Sequence, residues 1–386
     1  MAVSGAEKRV LLTGNHALAW GARLARPKVV PVYPITPQTP VLELLTEFQA
    51  AGEFEAEILT PESEHSVMAA CIPASLAGVR VFTATASQGL MLMHELLHYA
   101  SGARAPIVMA NVNRTIASPW AFWPDQTDSL AQRDTGWIQL YVETAQEALD
   151  SVIHAFRIAE RVLLPVMVNL DAFYVSHALE PVLLPSQQMV DAYLPPYAPE
   201  HFLDPQRGES WGNVVSQDMY YRHRRAIGEA MDRVPEAAAE ADREWQGATG
   251  RGWGVLERYS CDDADLVIVT MGSMCGTARD AVDALRESGL RVGLLKVRLF
   301  RPLPTAALRQ ALAGARDVLV LDRNFSPGVG GVLHQEVRAA LYGMKSAPGI
   351  HGCLAGVGGV SVPPEKIVHL ARQARALDAE TESLWV

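Results

Sequence analysis

The chain has 386 residues, of which 49% are hydrophobic, so it exceeds one typical domain and can bury more than one core. Its net charge of -10 argues against nucleic acid or an anionic membrane as the main partner, because both require basic patches. No apolar run approaches the roughly 20 residues of a membrane helix, and the start lacks the apolar core of a signal peptide. We therefore predict a cytoplasmic enzyme subunit.

The first half of the chain alternates short apolar runs with helical patterns. The apolar runs, typical of strands buried in a parallel sheet, cover residues 28–33, 56–60, 79–83, 106–112 and 162–170. The helical patterns between them cover residues 41–48, 66–76, 90–99 and 145–160. This alternation predicts a doubly wound α/β domain.

A proline-rich stretch follows at about residues 180–205, and its prolines predict a covering arm without regular elements. A polar helix is predicted next, at about residues 217–246. A second α/β unit has predicted strands at 265–272, 291–297 and 317–322 and a predicted helix at 278–288. We place the boundary near residue 255, which predicts domains at 1–255 and 256–386.

Three polar side chains follow three different predicted strands. Thr36 lies in Tyr-Pro-Ile-Thr-Pro (residues 33–37), Glu64 in Glu-Ser-Glu-His-Ser (62–66), and Arg114 directly after the fourth strand. Ligands of open parallel sheets bind outside the carboxyl ends of the strands, so we expect the three side chains to surround one crevice. A hydroxyl, a carboxyl and a guanidinium suit a small anionic substrate and a nitrogen-ring cofactor.

Four further motifs accompany Tyr-Pro-Ile-Thr-Pro and Glu-Ser-Glu-His-Ser. They are Thr-Ala-Ser-Gln-Gly (85–89), Asn-Arg (113–114), Arg-Asp-Thr-Gly-Trp (133–137) and Lys-Val-Arg-Leu-Phe-Arg-Pro (296–302). In this order the motifs resemble the alpha subunit of the 2-oxoacid:ferredoxin oxidoreductases, of which pyruvate synthase is the familiar member. The resemblance implies a thiamine-diphosphate-binding domain of the pyrimidine type, followed by a transketolase C-terminal-like α/β domain. It also implies oxidative decarboxylation of a 2-oxoacid, usually to acyl-CoA, with electrons passing through [4Fe-4S] clusters to ferredoxin.

The resemblance also implies roles for individual residues. Thiamine chemistry needs a carboxyl beside N1′ of the aminopyrimidine, and Glu64 resembles that group. Thr36 is expected to bind the carboxylate or the ketone oxygen of the substrate, and Arg114 is expected to bind its carboxylate. The expected cofactor-lining residues are Ile35, Ser87, Gln88 and Gly89.

Each of the three catalytic candidates also has a structural explanation. Glu64 suits the start of a helix, with Ser63 as N-cap and a charge that the helix dipole favours. Thr36 suits an N-cap before Pro37, although Thr39 offers a competing cap. Arg114 suits a surface position with a structural ion pair.

Parts of a complete enzyme of this kind are missing from the sequence. A Gly-Asp-Gly run for Mg²⁺ and diphosphate is absent, and the four cysteines show no Cys-x-x-Cys spacing, so they are predicted to be reduced core thiols. We predict no metal site in this chain, a beta subunit that supplies the diphosphate and Mg²⁺ site, and gamma and ferredoxin-like delta partners. Arg298, Phe300 and Arg301 are candidates for intersubunit contacts.

The sequence leaves open the identity of the substrate and two alternative functions. Pyruvate-type relatives commonly carry an Asp-His pair near Asp125 and Gln126, and Trp120, Phe122 and Trp123 lie just before it. The substrate is therefore either an aryl 2-oxoacid such as phenylglyoxylate or pyruvate, with these rings in a subunit interface. The alternatives in function are a nicotinamide-dependent Rossmann oxidoreductase, which would need a glycine fingerprint after the first strand, and a noncatalytic scaffold subunit.

Overall fold

The computed structural model describes residues 7–374 and 384–386. The strands of its first half are β1 (Lys8–Thr13), β2 (Val29–Pro31), β3 (Glu57–Leu59), β4 (Phe82–Thr85), β5 (Val108–Asn113), β6 (Ile138–Val142), β7 (Val166–Asp171) and β8 (Leu179–Leu184). The helices of this half are α1 (Gly14–Ala25), α2 (Thr39–Ala50), α3 (Glu64–Leu76), α4 (Ser87–Leu92), α5 (His94–Gly102), α6 (Thr127–Leu130), α7 (Ala145–Val162), α8 (Gln187–Tyr193), α9 (Gln217–Asp232) and α10 (Val234–Thr249).

The second half forms another α/β unit. Its strands are β9 (Leu256–Tyr259), β10 (Leu266–Thr270), β11 (Val292–Val297), β12 (Leu299–Arg301), β13 (Asp317–Asp322), β14 (Gly349–Leu354) and β15 (Leu384–Trp385). Its helices are α11 (Met274–Glu287), α12 (Thr305–Leu312), α13 (Val332–Leu341) and α14 (Pro364–Ala374), with a 3₁₀ turn at Val357–Gly359. None of the described helices combines the length and the apolar character that crossing a membrane requires.

A parallel sheet in the order β6-β7-β5-β4 forms the centre of the first unit. The parallel pair β2 and β3 extends it, because Val29 bridges to Val81 just before β4. Successive side chains of β5 enter opposite cores: Val108 packs with α1 and α7, whereas Met109 packs with α3 and α5. The predicted doubly wound domain is therefore confirmed.

The second unit has a six-stranded sheet in the order β15-β14-β13-β10-β11-β9, parallel except for β9. Helices α12 and α13 cover one face, and α11 and α14 cover the other. Strand β12 leaves this unit and pairs antiparallel with β6 of the first sheet. The two halves of the chain thus share a sheet edge as well as a connecting segment.

Two predictions about the connecting region were wrong. Residues 180–205 contain β8 and α8, because β8 pairs only with β1 and an edge strand tolerates a proline such as Pro181. The predicted single helix at 217–246 is divided into α9 and α10 at Arg233. Pro235 lies in the first turn of α10, where its missing N–H costs no hydrogen bond.

Buried charges join the second unit to α7. The Nζ atom of Lys296 lies 2.7 Å from Glu147 Oε2 and 3.0 Å from Glu143 Oε2. Arg298 Nε lies 3.2 Å from Glu147 Oε1, and Arg298 Nη2 donates to Ser151 Oγ at 2.8 Å. Every one of these side chains is at least nine-tenths buried, so the charges compensate one another away from solvent.

The predicted intersubunit role is wrong for two of its three residues. Arg298 and Phe300 are buried within this chain, where β12 lies on the first sheet. Arg301 is partly exposed and forms an ion pair with Glu336 at 2.8 Å. The Lys-Val-Arg-Leu-Phe-Arg-Pro motif therefore joins the two units of a single chain.

Replacing Glu147 by Gln should reduce the free energy of unfolding by about 3 kcal/mol, because it removes a charge that compensates two buried cations. Denaturant-induced unfolding measures the change. The control is Glu240→Gln, since Glu240 forms a half-exposed pair with Arg161 at 2.5 Å and such pairs contribute about 0–1 kcal/mol. Equal losses in the two variants would contradict this account of the junction.

Candidate active site

The turn between β2 and α2 carries Thr36 at the carboxyl end of a strand. Buried Gln38 fixes this turn by donating from Nε2 to the carbonyl oxygens of Tyr33 at 2.9 Å and Ala84 at 3.2 Å. Helix α2 begins at Thr39, and Gln38 occupies the N-cap position without a side-chain capping bond. Thr36 is therefore not an N-cap, and its side chain is exposed at the mouth of the sheet.

Glu64 is the first residue of α3 and is 9% exposed. Ser63 is the N-cap of this helix, so the structural explanation for Glu64 is correct and coexists with any chemical role. Helix α4 packs directly on the carboxyl group: a Cβ atom at Gly89 would lie 2.7 Å from Glu64 Oε1 and 2.5 Å from Thr85 Oγ1. Only glycine permits this approach.

Ser87 forms the turn from β4 into α4 with a left-handed backbone, φ 48°. Such a conformation costs a non-glycine residue about 1–2 kcal/mol, so it needs support from neighbouring bonds. Ser87 N donates to Asp128 Oδ2 at 3.0 Å, and Ser87 Oγ lies within hydrogen-bonding distance of Gln88 Oε1 and the Thr115 carbonyl. The turn that presents Gln88 is thereby fixed on three sides.

Arg114 connects the other two loops. Its Nη1 donates to the Thr36 carbonyl at 2.5 Å, and its Nη2 donates to Gln88 Oε1. Both acceptors are neutral oxygens. The side chain is 5% exposed, and its Nε atom has no hydrogen-bond partner among the described residues.

The charge of Arg114 is not compensated at close range. Burial lowers the pKa of this guanidinium, and the negative charges of Asp128 and Glu64 oppose that shift. Within residues 7–374 and 384–386, however, no carboxylate lies within 4.0 Å of it, so the structural ion-pair explanation is wrong. Arg80 shows the contrast, since it is equally buried but lies 2.5 Å from Glu160 Oε1.

Two aromatic rings flank the Arg114 guanidinium. Its central carbon lies 5.2 Å from the ring centroid of Trp120 and 5.8 Å from that of Phe122. These rings contact each other edge to face at 5.0 Å, and about half of each is exposed. Trp123 packs instead on Phe173, at 5.2 Å between centroids. Only two of the three predicted aromatic residues therefore lie beside the guanidinium.

Gln126 lies in the junction between the two units. Its Nε2 donates to Asp171 Oδ1 at 3.1 Å, and Asp171 Oδ2 accepts from Ser273 N and Arg323 Nη1, each at 2.9 Å. Asp125 is buried close by, and burial raises its pKa. The departure from an Asp-His pair thus falls at a contact between the two units.

The structure brings most of the predicted site residues together. Hydrogen bonds connect Thr36, Gln88 and Arg114 directly, and Gly89 joins them to Glu64. Ile35 is half-buried in the same turn as Thr36 and packs on the first core. The sequence interpretation missed Gln38, Thr85 and Asp128 as site residues. Of these, only Thr85 lies at the end of a strand, where a polar residue is a usable signal. The described residues include no cluster of potential ligands that could hold a metal ion.

Two family models match the chain. The model described as pyruvate flavodoxin/ferredoxin oxidoreductase, thiamine-diphosphate-binding, covers residues 20–243. The model described as pyruvate:ferredoxin oxidoreductase core domain II covers residues 264–367. The pyruvate synthase subunit PorA of Methanothermobacter thermautotrophicus is 47% identical over 97% of either chain. The ketoisovalerate oxidoreductase subunit VorA of Pyrococcus abyssi is 45% identical over 90% of this chain and 89% of its own.

Solved structures show the same fold at lower identity. The 2-oxoglutarate:ferredoxin oxidoreductase of Magnetococcus marinus superimposes with a TM-score of 0.74 and 22% identity, covering 95% of this chain and 65% of that chain. A split-gene transketolase, in an inactive beta4 tetramer, superimposes with a TM-score of 0.55 and 13% identity over 95% and 99%. These similarities define a thiamine-diphosphate-binding α/β fold with a transketolase-like second unit, as predicted.

The chain belongs to the 2-oxoacid:ferredoxin oxidoreductase family, as one subunit of an oxidoreductase complex. The predicted resemblance is confirmed, and the nicotinamide-dependent Rossmann alternative is wrong. All four cysteines are buried free thiols, which confirms their prediction as core thiols.

Replacing Gly89 by Ala should displace the Glu64 carboxyl group, because the added methyl group would overlap Glu64 Oε1 and Thr85 Oγ1. If Glu64 is the catalytic carboxyl group, as predicted from the sequence, its misplacement by about 1 Å costs about 100-fold in rate. We then expect a fall of that order in kcat/KM of the reconstituted complex. Gly228→Ala in α9 is the matched control, since an added Cβ there meets nothing within 4 Å. Similar kinetics for the two variants would refute the close contact.

Proposed function

We propose that this chain is the alpha subunit of a thiamine-diphosphate-dependent complex that oxidatively decarboxylates a 2-oxoacid to acyl-CoA. In this proposal the chain contributes the pyrimidine side of the cofactor site and the groups that bind the substrate. A beta subunit contributes the diphosphate and Mg²⁺ site, and [4Fe-4S] clusters on partners, including gamma and ferredoxin-like delta subunits, carry the electrons away. Family membership and the geometry of the strand-end loops support this division.

The observation that carries the proposal is the Arg114 guanidinium. It is buried, its neighbours are neutral oxygens, and no described carboxylate lies within 4.0 Å of it. A buried cation gains most from an anion that completes its charge balance, and a carboxylate can accept two parallel hydrogen bonds from a guanidinium. The carboxylate of a 2-oxoacid meets this requirement. The exposed Thr36 side chain, in the turn held by Arg114, suits the ketone oxygen.

The residues around Glu64 fit the aminopyrimidine of thiamine diphosphate. Glu64 offers a mostly buried carboxyl group, and Thr85 offers a buried hydroxyl without a partner among the described residues. Such orphaned polar atoms cost free energy until a partner satisfies them. Bound thiamine diphosphate supplies the nucleophilic carbon needed to cleave a 2-oxoacid.

This chain's own groups would act as follows. Glu64 would hold and exchange a proton at its carboxyl oxygen. Arg114 binds and orients the carboxylate that is lost, and Gln88 keeps the guanidinium in place. Packing of α4 against Glu64 through Gly89 excludes water from the carboxyl group.

Replacing Glu64 by Gln should lower turnover by about 100-fold or more, because it keeps the size of the side chain but removes its exchangeable acid proton. The assembled complex should remain intact. Steady-state oxidation of the 2-oxoacid, together with size-exclusion chromatography, measures both properties. The matched control is Glu62→Gln, since Glu62 lies on the same loop but is exposed.

Near-normal decarboxylation by the Glu64→Gln complex would contradict the catalytic role of Glu64. Loss of activity in both variants would point to damage of the loop as a whole. Thiamine-dependent activity of the reconstituted wild-type complex would exclude the noncatalytic scaffold alternative.

Expressed alone, the subunit should be colourless, bind thiamine diphosphate poorly and oxidise no 2-oxoacid. The reasons are the absent Gly-Asp-Gly run and the absence of cysteine spacing for a cluster. Absorption spectra, cofactor titration and activity assays of the purified chain test this expectation. Stoichiometric iron–sulfur absorbance, or activity without partners, would contradict the division of the site between subunits.

A specific observation keeps an aryl 2-oxoacid such as phenylglyoxylate as a second candidate substrate. Trp120 and Phe122 flank the guanidinium and remain about half exposed, so they offer aromatic surface beside the predicted carboxylate position. The relatives named for pyruvate and for ketoisovalerate are similar to this chain at 47% and 45% identity, so identity alone does not select a substrate.

If the aromatic rings hold the substrate, Phe122→Ala should lower kcat/KM for phenylglyoxylate by about 2- to 12-fold relative to pyruvate, since ring contacts contribute about 0.5–1.5 kcal/mol. The reconstituted complex should be assayed with pyruvate, ketoisovalerate, 2-oxoglutarate, indolepyruvate and phenylglyoxylate. Trp385→Ala removes an exposed aromatic ring of the second unit and serves as control. A clear wild-type preference for pyruvate would end the aryl hypothesis.

A further inference from the structure

We infer that Asp128 is a positioning residue that holds the cofactor turn and the substrate-binding arginine in one fixed relation. The inference deepens the proposed function and rests on it, because it assigns no chemistry apart from that site. Asp128 forms no hydrogen bond or ion pair with the Glu64 carboxyl group or the Arg114 guanidinium. It acts through the backbone of Ser87 and of Arg114.

Asp128 lies in the short helix α6, fully buried between α4 and β5. Its Oδ2 atom accepts from Ser87 N at 3.0 Å and from Arg114 N at 3.2 Å. Its Oδ1 atom accepts from Asn113 Nδ2 and from Ser129 N, each at 2.7 Å. One carboxylate oxygen therefore joins the loop after β4 to the loop after β5.

The hydrogen-bond pattern requires both side-chain oxygens of Asp128 to act as acceptors. Each of the four short contacts comes from an N–H donor, and the longer contact from Asn111 Nδ2 at 3.4 Å does as well. A carboxylate accepts from all of them, whereas an amide would direct its own N–H groups at donors. Replacing this carboxylate by an amide of the same shape therefore disrupts the geometry of both loops.

The two loops hold what the proposed reaction needs. The left-handed Ser87 starts α4, which carries Gln88 and the Gly89 that packs on Glu64. The Arg114 side chain donates to Gln88 on the other loop. The two loops are therefore joined twice, once by this bond and once by Asp128. Movement of the carboxylate would thus shift the cofactor-facing turn and the guanidinium together.

Burial raises the pKa of Asp128 to about 7, although the hydrogen-bond donors around the carboxylate act to lower it. The charged and titratable groups that interact with it are Arg114, on the loop after β5, and Tyr141, on β6. Helix α4 and strand β5, which pack on α6, contain no ionisable residue. Because the carboxylate is the form that accepts from every donor, activity should fall as pH drops through the pKa of Asp128.

The first test is Asp128→Asn in the reconstituted complex. We expect kcat/KM for the 2-oxoacid to fall by about tenfold or more. The concentration of thiamine diphosphate at half-saturation should rise in parallel, because misdirected buried donors disturb the positions of both loops. The control is Asp322→Asn. Asp322 is equally buried, accepts from Leu333 N and His334 N, and has a pKa also raised to about 7, but it lies on β13 of the second unit.

The second test uses Asn113→Ala, which removes one donor and leaves the carboxylate in place. Loss of that donor raises the pKa of Asp128 further, so the acid limb of the kcat/KM profile should move to higher pH. A purely structural role would lower stability without moving this limb. The profile remains informative if Asp128→Asn does not assemble.

The outcomes separate this inference from the proposed function. If the wild-type complex oxidises none of the 2-oxoacids, the proposed function is overturned, and the role of Asp128 with it. An active wild-type complex in which Asp128→Asn changes substrate and cofactor parameters no more than Asp322→Asn overturns the positioning role alone. An acid limb unmoved by Asn113→Ala also overturns it.

Discussion

The buried guanidinium of Arg114 is the constraint on which the arrangement of the site depends. Removing a cation from water is costly, and neutral oxygens repay only part of that cost. The surroundings of Arg114 provide the Thr36 carbonyl and Gln88 Oε1, with the carboxylates of Glu64 and Asp128 beyond salt-bridge distance. The fold therefore holds a positive charge whose closest counter-ion must come from outside these residues. In the proposed function, the carboxylate of the 2-oxoacid supplies this counter-ion.

The second unit contributes to the site by fixing the edge of the sheet from which the loops emerge. Strand β12 extends the first sheet, while Asp171 at the end of β7 bonds to Ser273 and Arg323 of the second unit. Gly272 has φ 69° beside this contact, and a Cβ atom there would lie 2.8 Å from Asp171 Oδ2. The two units thus meet at the carboxyl end of β7, which pairs with β5, the strand that Arg114 follows.

The sequence predicted the strands of the central sheet well where they are long apolar runs, but it missed β6. That strand contains the polar residues Gln139 and Tyr141, which contact Ser129: Gln139 Nε2 donates to the Ser129 carbonyl at 2.7 Å, and the Tyr141 hydroxyl lies 2.8 Å from Ser129 Oγ. The convergence of Thr36, Glu64 and Arg114 was predictable because parallel strands end at one edge. Asp128 was not predictable, since nothing local shows that a carboxylate in a four-residue helix accepts from two distant loops.

In the proposed function, orphaned polar atoms link cofactor binding to assembly of the complex. Thr85 Oγ1 and Arg114 Nε are buried without partners among the described residues, and each such atom costs about 1–3 kcal/mol. A ligand that satisfies them recovers this free energy only when bound, so ligand binding and ordering of the loops are thermodynamically linked. If a partner subunit completes the cofactor site, assembly and cofactor binding strengthen each other by the same coupling free energy. The incomplete half therefore favours assembly with the half that supplies the missing contacts.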